Sequence, residues 1–302
     1  MVVTGNTFLN PGRIARWVTR MLGIGFRLGG MLSPHLAARA GVWLFTKPHR
    51  SPILPREEQL LANGRSYHLE HKGESLAVME WGEGPVILCV HGWSSRGLRF
   101  SSLIELLVNA GYRVVTFDAP AHGRSSGSHI DLMDYVEALM QVSRNVGPLH
   151  GLAAHSLGAA ATLLALEKGL NIDKAVFFSA LNGLRGPLDY LAQKLQMSTE
   201  VLGRIKEYFE TKFNRDIESL EAVRIVPQLI TPPLLVFHDR DDPLLPYHNA
   251  LDLTGVWKNS QLVGTLGTSH HSILDDPAVI GATISFLRGT KDQGLGAAVS
   301  PS

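Results

Sequence analysis

Cysteine is nearly absent from this sequence, and neither sign of charge predominates. The single cysteine among 302 residues, Cys89, excludes an intrachain disulfide framework and any zinc or iron–sulfur site built from several thiolates. Basic residues number 28 and acidic residues 27, which gives a formal net charge of +1. Such a balance supplies no overall positive field for binding nucleic acid. We therefore expect a globular protein of a reducing, cytoplasmic compartment, and no nucleic-acid partner.

Long hydrophobic runs are also missing from the N-terminal region. The uncharged stretch from Leu28 to Ala38 is only 11 residues long, whereas a helix needs about 20 apolar residues to cross a bilayer. Arginines interrupt the candidate apolar core of a secretory signal. We expect neither a spanning helix nor a cleaved secretory signal in this region.

Acidic residues are absent from residues 1–56, which carry eight lysines and arginines. The segment is therefore +8 and the remainder of the chain −7. Apolar residues recur at helical spacing between Ile14 and Met31, with arginines on another face, which predicts a basic amphipathic helix. Residues 13–46 would then contact an anionic membrane surface, or the apolar stripe would pack on the acidic remainder or on a second subunit. The stripe comprises Ile14, Trp17, Val18, Met21, Leu22 and Leu28, and the arginines are Arg13, Arg16, Arg20 and Arg27.

Beyond Pro55, short apolar runs alternate with stretches of helical length. This alternation is typical of an α/β protein with a doubly wound, mostly parallel sheet, here of about eight strands. The main domain is expected at residues 57–288, and the Gly/Ala/Ser-rich tail at 289–302 is expected to be disordered. The predicted strands are Tyr67 to Glu70 and Leu76 to Trp81, which form an antiparallel pair, and then Val86 to Val90, Arg113 to Phe117, Gly151 to Ala154, Lys174 to Phe178 and Leu234 to Phe237.

A serine lies among small residues directly after one predicted strand, in the segment Ala154 to Ala160. A nucleophilic serine needs a tight strand-to-helix turn that exposes its hydroxyl, and large side chains two positions away would collide with neighbouring backbone. The alternative interpretation of Ser156 is a cap for the helix that follows.

Partners for a nucleophilic serine occur after later predicted strands. Serine needs an imidazole to accept its proton and a carboxylate to orient that imidazole. One loop contains Asp239, Asp241 and Asp242, and a later one contains His270 and His271. The order is Ser, Asp, His, with 86 residues from Ser156 to Asp242 and 28 more to His270. Because carboxyl ends of parallel strands share one edge, the three groups can meet there.

Backbone N–H groups are the other requirement of an acyl-transfer site, because they stabilise the developing oxyanion. The segment His91-Gly92-Trp93 follows the Val86 to Val90 strand, and its glycine permits close approach of the chain. The candidate donors are the amides of Trp93 and Leu157. We interpret His91 as a structural histidine.

Residues 65–288 resemble the α/β-hydrolase fold superfamily, of the serine hydrolase, esterase or lipase type. The resemblance implies Ser156 as nucleophile, His270 as general base and Asp242 as orienting acid, with an oxyanion hole from the amides of Trp93 and Leu157. It is carried by His91-Gly92-Trp93, Asp118 to Ser125, His155 to Gly158, Asp242 to Pro246 and His270.

The resemblance also leaves alternatives and shows two departures. The Pro-x-x-Pro sequence that follows selects Asp242, with Asp241 as the alternative, and the family register selects His270 over His271. Ala154 and Ser269 stand where the family usually has glycine.

Residues 182–228 interrupt the strand–helix alternation where this superfamily often inserts a helical cap. Residues 185–224 carry seven basic and seven acidic side chains, and this neutrality favours uncharged, apolar substrates. The leading hypothesis is hydrolysis of carboxylic esters. The alternatives are thioester or carbon–carbon bond hydrolysis on the same triad, or a non-catalytic membrane-surface interaction protein. The triad chemistry requires no metal and no cofactor.

Overall fold

The structure is a computed structural model that describes the backbone of residues 11–290 and the side chains of residues 17–290. It consists of two compact units. One contains the described residues through Thr46 together with Leu184–Ile217, and the other contains Lys47–Gly183 and the described residues from Glu218 onward. Residues 291–302, nearly all of the predicted disordered tail, lie outside the described residues.

The larger unit is built on an eight-stranded sheet with the order β1-β2-β4-β3-β5-β6-β7-β8. Strand β2 pairs antiparallel with β1 and β4, and the other neighbours pair in parallel. This confirms the predicted α/β fold class. The strands are β1 (Arg65–His71), β2 (Glu74–Trp81), β3 (Val86–Val90), β4 (Arg113–Phe117), β5 (Leu149–His155), β6 (Ala175–Phe178), β7 (Leu234–Asp239) and β8 (Ser260–Thr265).

Helices flank this sheet in the larger unit, and four further helices make up the smaller unit. The helices are α1 (Pro11–Leu32), α2 (Pro34–Thr46), α3 (Pro55–Ala62), α4 (Ser101–Asn109), α5 (Leu132–Val146), α6 (Leu157–Glu167), α7 (Arg185–Lys194), α8 (Thr199–Phe213), α9 (Ala222–Ile225), α10 (His248–Val256) and α11 (Pro277–Arg288).

Strands β3 and β6 are apolar, β5 is apolar apart from His150 and His155, and all three are almost fully buried, as expected for parallel strands covered on both faces. Alternate side chains of β3 belong to one core cluster with side chains of α4, such as Ile104, and of α11, such as Ile280. Cys89 belongs to this cluster, and burial raises the pKa of its thiol. Burial therefore makes this thiol a poor nucleophile.

The smaller unit contains α1, α2, α7 and α8. Glycines bring these helices close together: a Cβ on Gly30 would lie 3.2 Å from Val201, and one on Gly41 would lie 2.6 Å from Ile205. Phe45 and Phe209 pack edge to face, with ring centroids 5.6 Å apart. The N-terminal helices thus associate with Leu184–Ile217, the central part of the insertion, a grouping that the sequence pattern does not reveal.

The predicted helix from Ile14 to Met31 is present as α1. Its packing face differs from the predicted apolar stripe, because the buried residues of its described part are Gly23, Phe26 and Gly30. None of the described helices is long and apolar enough to cross a membrane.

Candidate active site

Ser156 occupies the single residue between β5 and α6. Its backbone has φ 52° and ψ −118°, a region that non-glycine residues rarely adopt and that accompanies tight nucleophile turns. Its hydroxyl makes no capping hydrogen bond to α6. Instead, the hydroxyl lies 3.1 Å from Nε2 of His270. The alternative interpretation of Ser156 as a helix cap is therefore wrong.

Small residues permit this turn because neighbouring backbone leaves no space for larger side chains. A Cβ on Gly158 would lie 2.4 Å from the Val90 carbonyl oxygen and 2.7 Å from that of His91. Ala154, which replaces the first glycine of the family pattern, is fully buried and fits within β5. Its methyl group is thus accommodated, whereas a side chain at residue 158 would collide with β3.

Ser156, His270 and Asp242 form a continuous hydrogen-bonded chain. His270 Nδ1 lies 2.7 Å from Asp242 Oδ2, and its Nε2 faces the Ser156 hydroxyl. All three come from loops at the carboxyl ends of β5, β7 and β8. With Asp242 ionised, Nδ1–H donates to the carboxylate and Nε2 accepts from the serine, which is the tautomer that proton abstraction requires.

The carboxylate of Asp242 is stabilised in its charged form. Burial by itself would raise its pKa, but hydrogen bonds from His270 and from the N–H groups of Leu245 and Leu244 outweigh this effect and lower the pKa to about 2. Asp242 can therefore orient His270 and stabilise a positive charge on its ring throughout the neutral range.

The neighbouring aspartates have other environments. Asp241 is exposed. Asp239 is buried and accepts hydrogen bonds from the N–H groups of Thr268 and Ser269, at 2.5 and 3.0 Å, and from the Thr268 hydroxyl at 2.7 Å. The carboxylate of Asp239 thus joins the end of β7 to the loop that carries His270, a positioning contact that the sequence analysis did not single out.

Ser269 accounts for the second departure from the family pattern. It adopts φ 55°, a left-handed conformation that glycine enters without steric cost. The hydrogen bond from its N–H to Asp239 holds this conformation next to His270. The serine therefore retains the geometry that a glycine would supply.

The proposed oxyanion donors lie on the two segments that meet at Ser156. Leu157 is the first residue of α6, so its N–H has no acceptor within the helix. Trp93 follows Gly92, where a Cβ would lie 3.0 Å from the Ser156 Cβ. Both amides belong to chain segments adjacent to the serine, as stabilisation of an oxyanion requires.

His91 and His122 shape the segment that contains Trp93. His91 Nε2 accepts from the Ala119 N–H at 3.0 Å, and its Nδ1 lies 2.7 Å from the Gly92 carbonyl oxygen. His122 Nε2 accepts from the Ser94 N–H at 3.0 Å. Burial lowers the pKa of His91 to about 4 and that of His122 to about 3, so both rings are neutral near pH 7. These contacts support a structural role for both histidines.

One group of three described residues could supply metal ligands: His155, His270 and His271, whose ligand atoms lie within 4.8 Å of one another. Both ring nitrogens of His270 already contact Asp242 and Ser156. His155 Nε2 contacts the His270 carbonyl oxygen at 2.8 Å. A metal ion here would compete with the hydrogen bonds of His270 to Asp242 and Ser156. His271 is exposed and contacts neither Ser156 nor Asp242 through a hydrogen bond between described residues.

Comparison with known proteins places this architecture in a family. The sequence model of the alpha/beta hydrolase family matches residues 87–283, more than half of the chain. The chain is 24% identical over 254 residues to the AB hydrolase superfamily protein YisY of Bacillus subtilis, covering 70% of this chain and 94% of that protein. It is also 30% identical over 116 residues to a non-heme haloperoxidase of Rhodococcus erythropolis, covering 36% and 42% of the two chains.

Solved structures share the same fold. The esterase EaEST of Exiguobacterium antarcticum superimposes with a TM-score of 0.57 at 19% identity, covering 72% of this chain and 96% of its own. Est1E of Butyrivibrio proteoclasticus gives a TM-score of 0.59 at 17% identity, covering 74% and 98%. These structures agree in fold with the match of the family model over residues 87–283, and that match shows that the chain belongs to the alpha/beta hydrolase family.

Proposed function

We propose that the protein is a serine hydrolase that cleaves carboxylic esters of uncharged, apolar acyl groups through an acyl-enzyme on Ser156. The observation that carries the proposal is the hydrogen-bonded chain from Asp242 through His270 to Ser156, with the serine in a strained turn. This combination activates a hydroxyl that is otherwise a weak nucleophile at neutral pH.

The proposed reaction has two halves. As Ser156 Oγ attacks the carbonyl carbon, its proton passes to His270 Nε2, and Asp242 stabilises the imidazolium. The N–H groups of Trp93 and Leu157 stabilise the negative oxygen. The tetrahedral intermediate then collapses, the alcohol leaves with the proton of His270, and an acyl-enzyme remains. Water, deprotonated by His270, attacks the acyl group, and collapse returns the proton to Ser156 and releases the acid.

The substrate class rests on charge and on the relatives. Residues 185–224, the segment in which the family resemblance implies a cap, contain equal numbers of acidic and basic side chains and so carry no excess positive charge that would favour an anionic substrate. The structural neighbours include an esterase and Est1E with ferulic acid bound. The charge balance favours a neutral substrate over a phosphorylated or carboxylated one, and the esterase neighbour favours an ester.

Labelling with a fluorophosphonate, followed by intact-mass measurement and peptide mapping, tests the nucleophile. We expect one adduct per chain, on Ser156, and none in Ser156→Ala. Ser128→Ala is the matched control, because the Ser128 hydroxyl also lies 3.0 Å from a histidine ring, that of His129, but on an exposed residue pair outside the turn. A folded wild-type protein without an adduct, or with label retained in Ser156→Ala, would contradict the proposal.

A panel of substrates then tests the bond that is cleaved. Initial rates are measured with p-nitrophenyl esters of increasing acyl length and with acyl thioesters carrying the same acyl groups. We expect faster turnover of the esters, absent in Ser156→Ala. Faster turnover of the thioesters would retain the triad and replace the ester assignment.

Asp239 is expected to position the His270 loop without touching the substrate. Asp239→Asn weakens the charge-assisted hydrogen bonds to Thr268 and Ser269, and we expect kcat to fall about 10- to 100-fold because the imidazole is displaced. KM should change little. Asp241→Asn, at the exposed neighbour, should leave kcat unchanged. A loss of thermal stability in Asp239→Asn with full kcat would assign Asp239 a purely structural role.

A further inference from the structure

The outward face of α1 carries a continuous row of large apolar side chains. Trp17, Met21, Ile24 and Leu28 follow one another at i, i+4, i+7 and i+11, the spacing of one helix face. Their exposed fractions are 64, 47, 41 and 55%. We call these four residues the outer stripe. The other exposed large apolar side chains of α1 and α2 among the described residues are Val18, Leu22, Met31, Leu32, Leu36 and Trp43.

The outer stripe is not the face through which α1 packs. From Trp17 onward, where the side chains of the helix are described, the buried residues are Gly23, Phe26 and Gly30, and a Cβ on Gly23 would lie 3.2 Å from the Gln196 side chain. At about 100° per residue, these three positions lie on the side opposite to the outer stripe. The contacts of α1 within its unit therefore leave the outer stripe free for a ligand of another kind.

Positive charge borders the outer stripe. Arg20 and Arg27 are exposed and lie two turns apart, between the outer stripe and the packing face. The sequence pattern places Arg13 and Arg16 on the same side, although their side chains lie outside the described residues. Residues 1–56 contain no acidic residue. An apolar row with arginines along its edge matches the chemistry of an anionic lipid surface.

We propose that α1 binds to the surface of an anionic phospholipid bilayer. The helix lies in the plane of the interface, with the outer stripe among the upper acyl chains and the arginines at the headgroup phosphates. A symmetric dimer through the same face is less favourable, because it brings the arginines of two copies together without an acidic partner from either N-terminal segment. The proposal is independent of the hydrolase activity.

Flotation of the full-length protein with vesicles tests the binding. We expect the wild type to float with vesicles of phosphatidylcholine and phosphatidylglycerol at 7:3, and to remain mostly unbound with phosphatidylcholine alone. Met21→Gln/Leu28→Gln should lower the partition coefficient at least about tenfold. Leu251→Gln is the matched control, because Leu251 on α10 is 50% exposed and lies outside the smaller unit. The control should bind like the wild type.

The arginines have a separate signature. Arg20→Gln/Arg27→Gln should lower partitioning onto the anionic vesicles about tenfold or more, while the residual binding to phosphatidylcholine stays the same. Raising the salt concentration should weaken binding of the wild type more than that of this variant.

Three outcomes would overturn the proposal. They are a folded wild type that does not float with anionic vesicles, equal binding by Met21→Gln/Leu28→Gln, and a dimer in light scattering that this variant dissociates, which would assign the outer stripe to a second copy. Hydrolysis of a soluble ester is measured in the same samples as an independent readout. It reports on the folded, active protein separately from vesicle binding. Loss of binding with retained turnover thus concerns α1 alone.

Discussion

Asp242→Asn should lower kcat for ester hydrolysis by about 10⁴-fold. The asparagine side chain can present its NH₂ group to His270 Nδ1, which favours the tautomer with the proton on Nε2. That nitrogen then faces Ser156 as a donor and cannot accept the serine proton. The hydrogen bond of 2.7 Å from His270 to Asp242 is the contact whose loss produces the effect. Steady-state kinetics on a p-nitrophenyl ester provide the measurement.

Protonation of Asp242 does not contribute to the pH dependence of the wild type between neutral pH and about 4. Because the pKa of Asp242 is lowered to about 2, the group stays ionised as the pH falls from neutral to about 4. Its protonation therefore does not reduce kcat in that range. The loss in Asp242→Asn should accordingly appear at every pH above about 4.

Two neighbouring substitutions identify the acid. Asp241→Asn should retain full activity, since the side chain is exposed, and Asp239→Asn should lose less than Asp242→Asn. A loss of about 10⁴-fold in Asp241→Asn with an active Asp242→Asn would assign the acid to Asp241. Circular dichroism spectra of all three variants establish that the fold is retained.

The strand pattern of the sequence indicated one sheet edge as the place where Ser156, the aspartate loop and the histidine pair could meet, whereas the choice of Asp242 over Asp241 and of His270 over His271 depended on the resemblance to the α/β-hydrolase family. The sequence did not predict the contacts of Asp239, because Asp239, Asp241 and Asp242 are close together in the chain and the same residue type. Only the structure shows that Asp239 is buried and accepts hydrogen bonds from Thr268 and Ser269. Strand β8 was missed as an individual strand, because Ser260–Thr265 alternates weakly, is mostly half-buried and pairs on one side only, with β7. Edge strands carry less of the continuous apolar signal of buried ones.

The grouping of α1 and α2 with α7 and α8 depends on contacts between distant parts of the chain. Gly23 and Gly30 are seven residues apart and form the packing face. A glycine pair carries little hydrophobic signal, so the sequence pattern pointed instead to the larger apolar residues. Those residues produce the amphipathic period of α1, but they face solvent.

Glu57→Gln is expected to lower the free energy of unfolding by about 3 to 5 kcal/mol. Glu57 and Arg96 are 2 and 7% exposed and form an ion pair, with Arg96 Nε 2.9 Å from Glu57 Oε2. Glutamine removes the carboxylate that pairs directly with the buried guanidinium, so this ion pair no longer offsets the desolvation cost of the arginine. Urea unfolding followed by tryptophan fluorescence measures the difference.

Glu58→Gln is the matched control, because Glu58 is adjacent and exposed, and its effect should stay within about 0.5 kcal/mol. If the two variants were equally stable, the ion pair would contribute nothing. Replacing both partners, as Glu57→Gln/Arg96→Met, should recover part of the loss, since no unpaired charge then remains buried.

Arg96 lies three residues after Trp93, so the same pair holds the segment that carries a proposed oxyanion donor. Glu57→Gln should therefore also lower kcat at temperatures where the variant is fully folded, whereas Glu58→Gln should not.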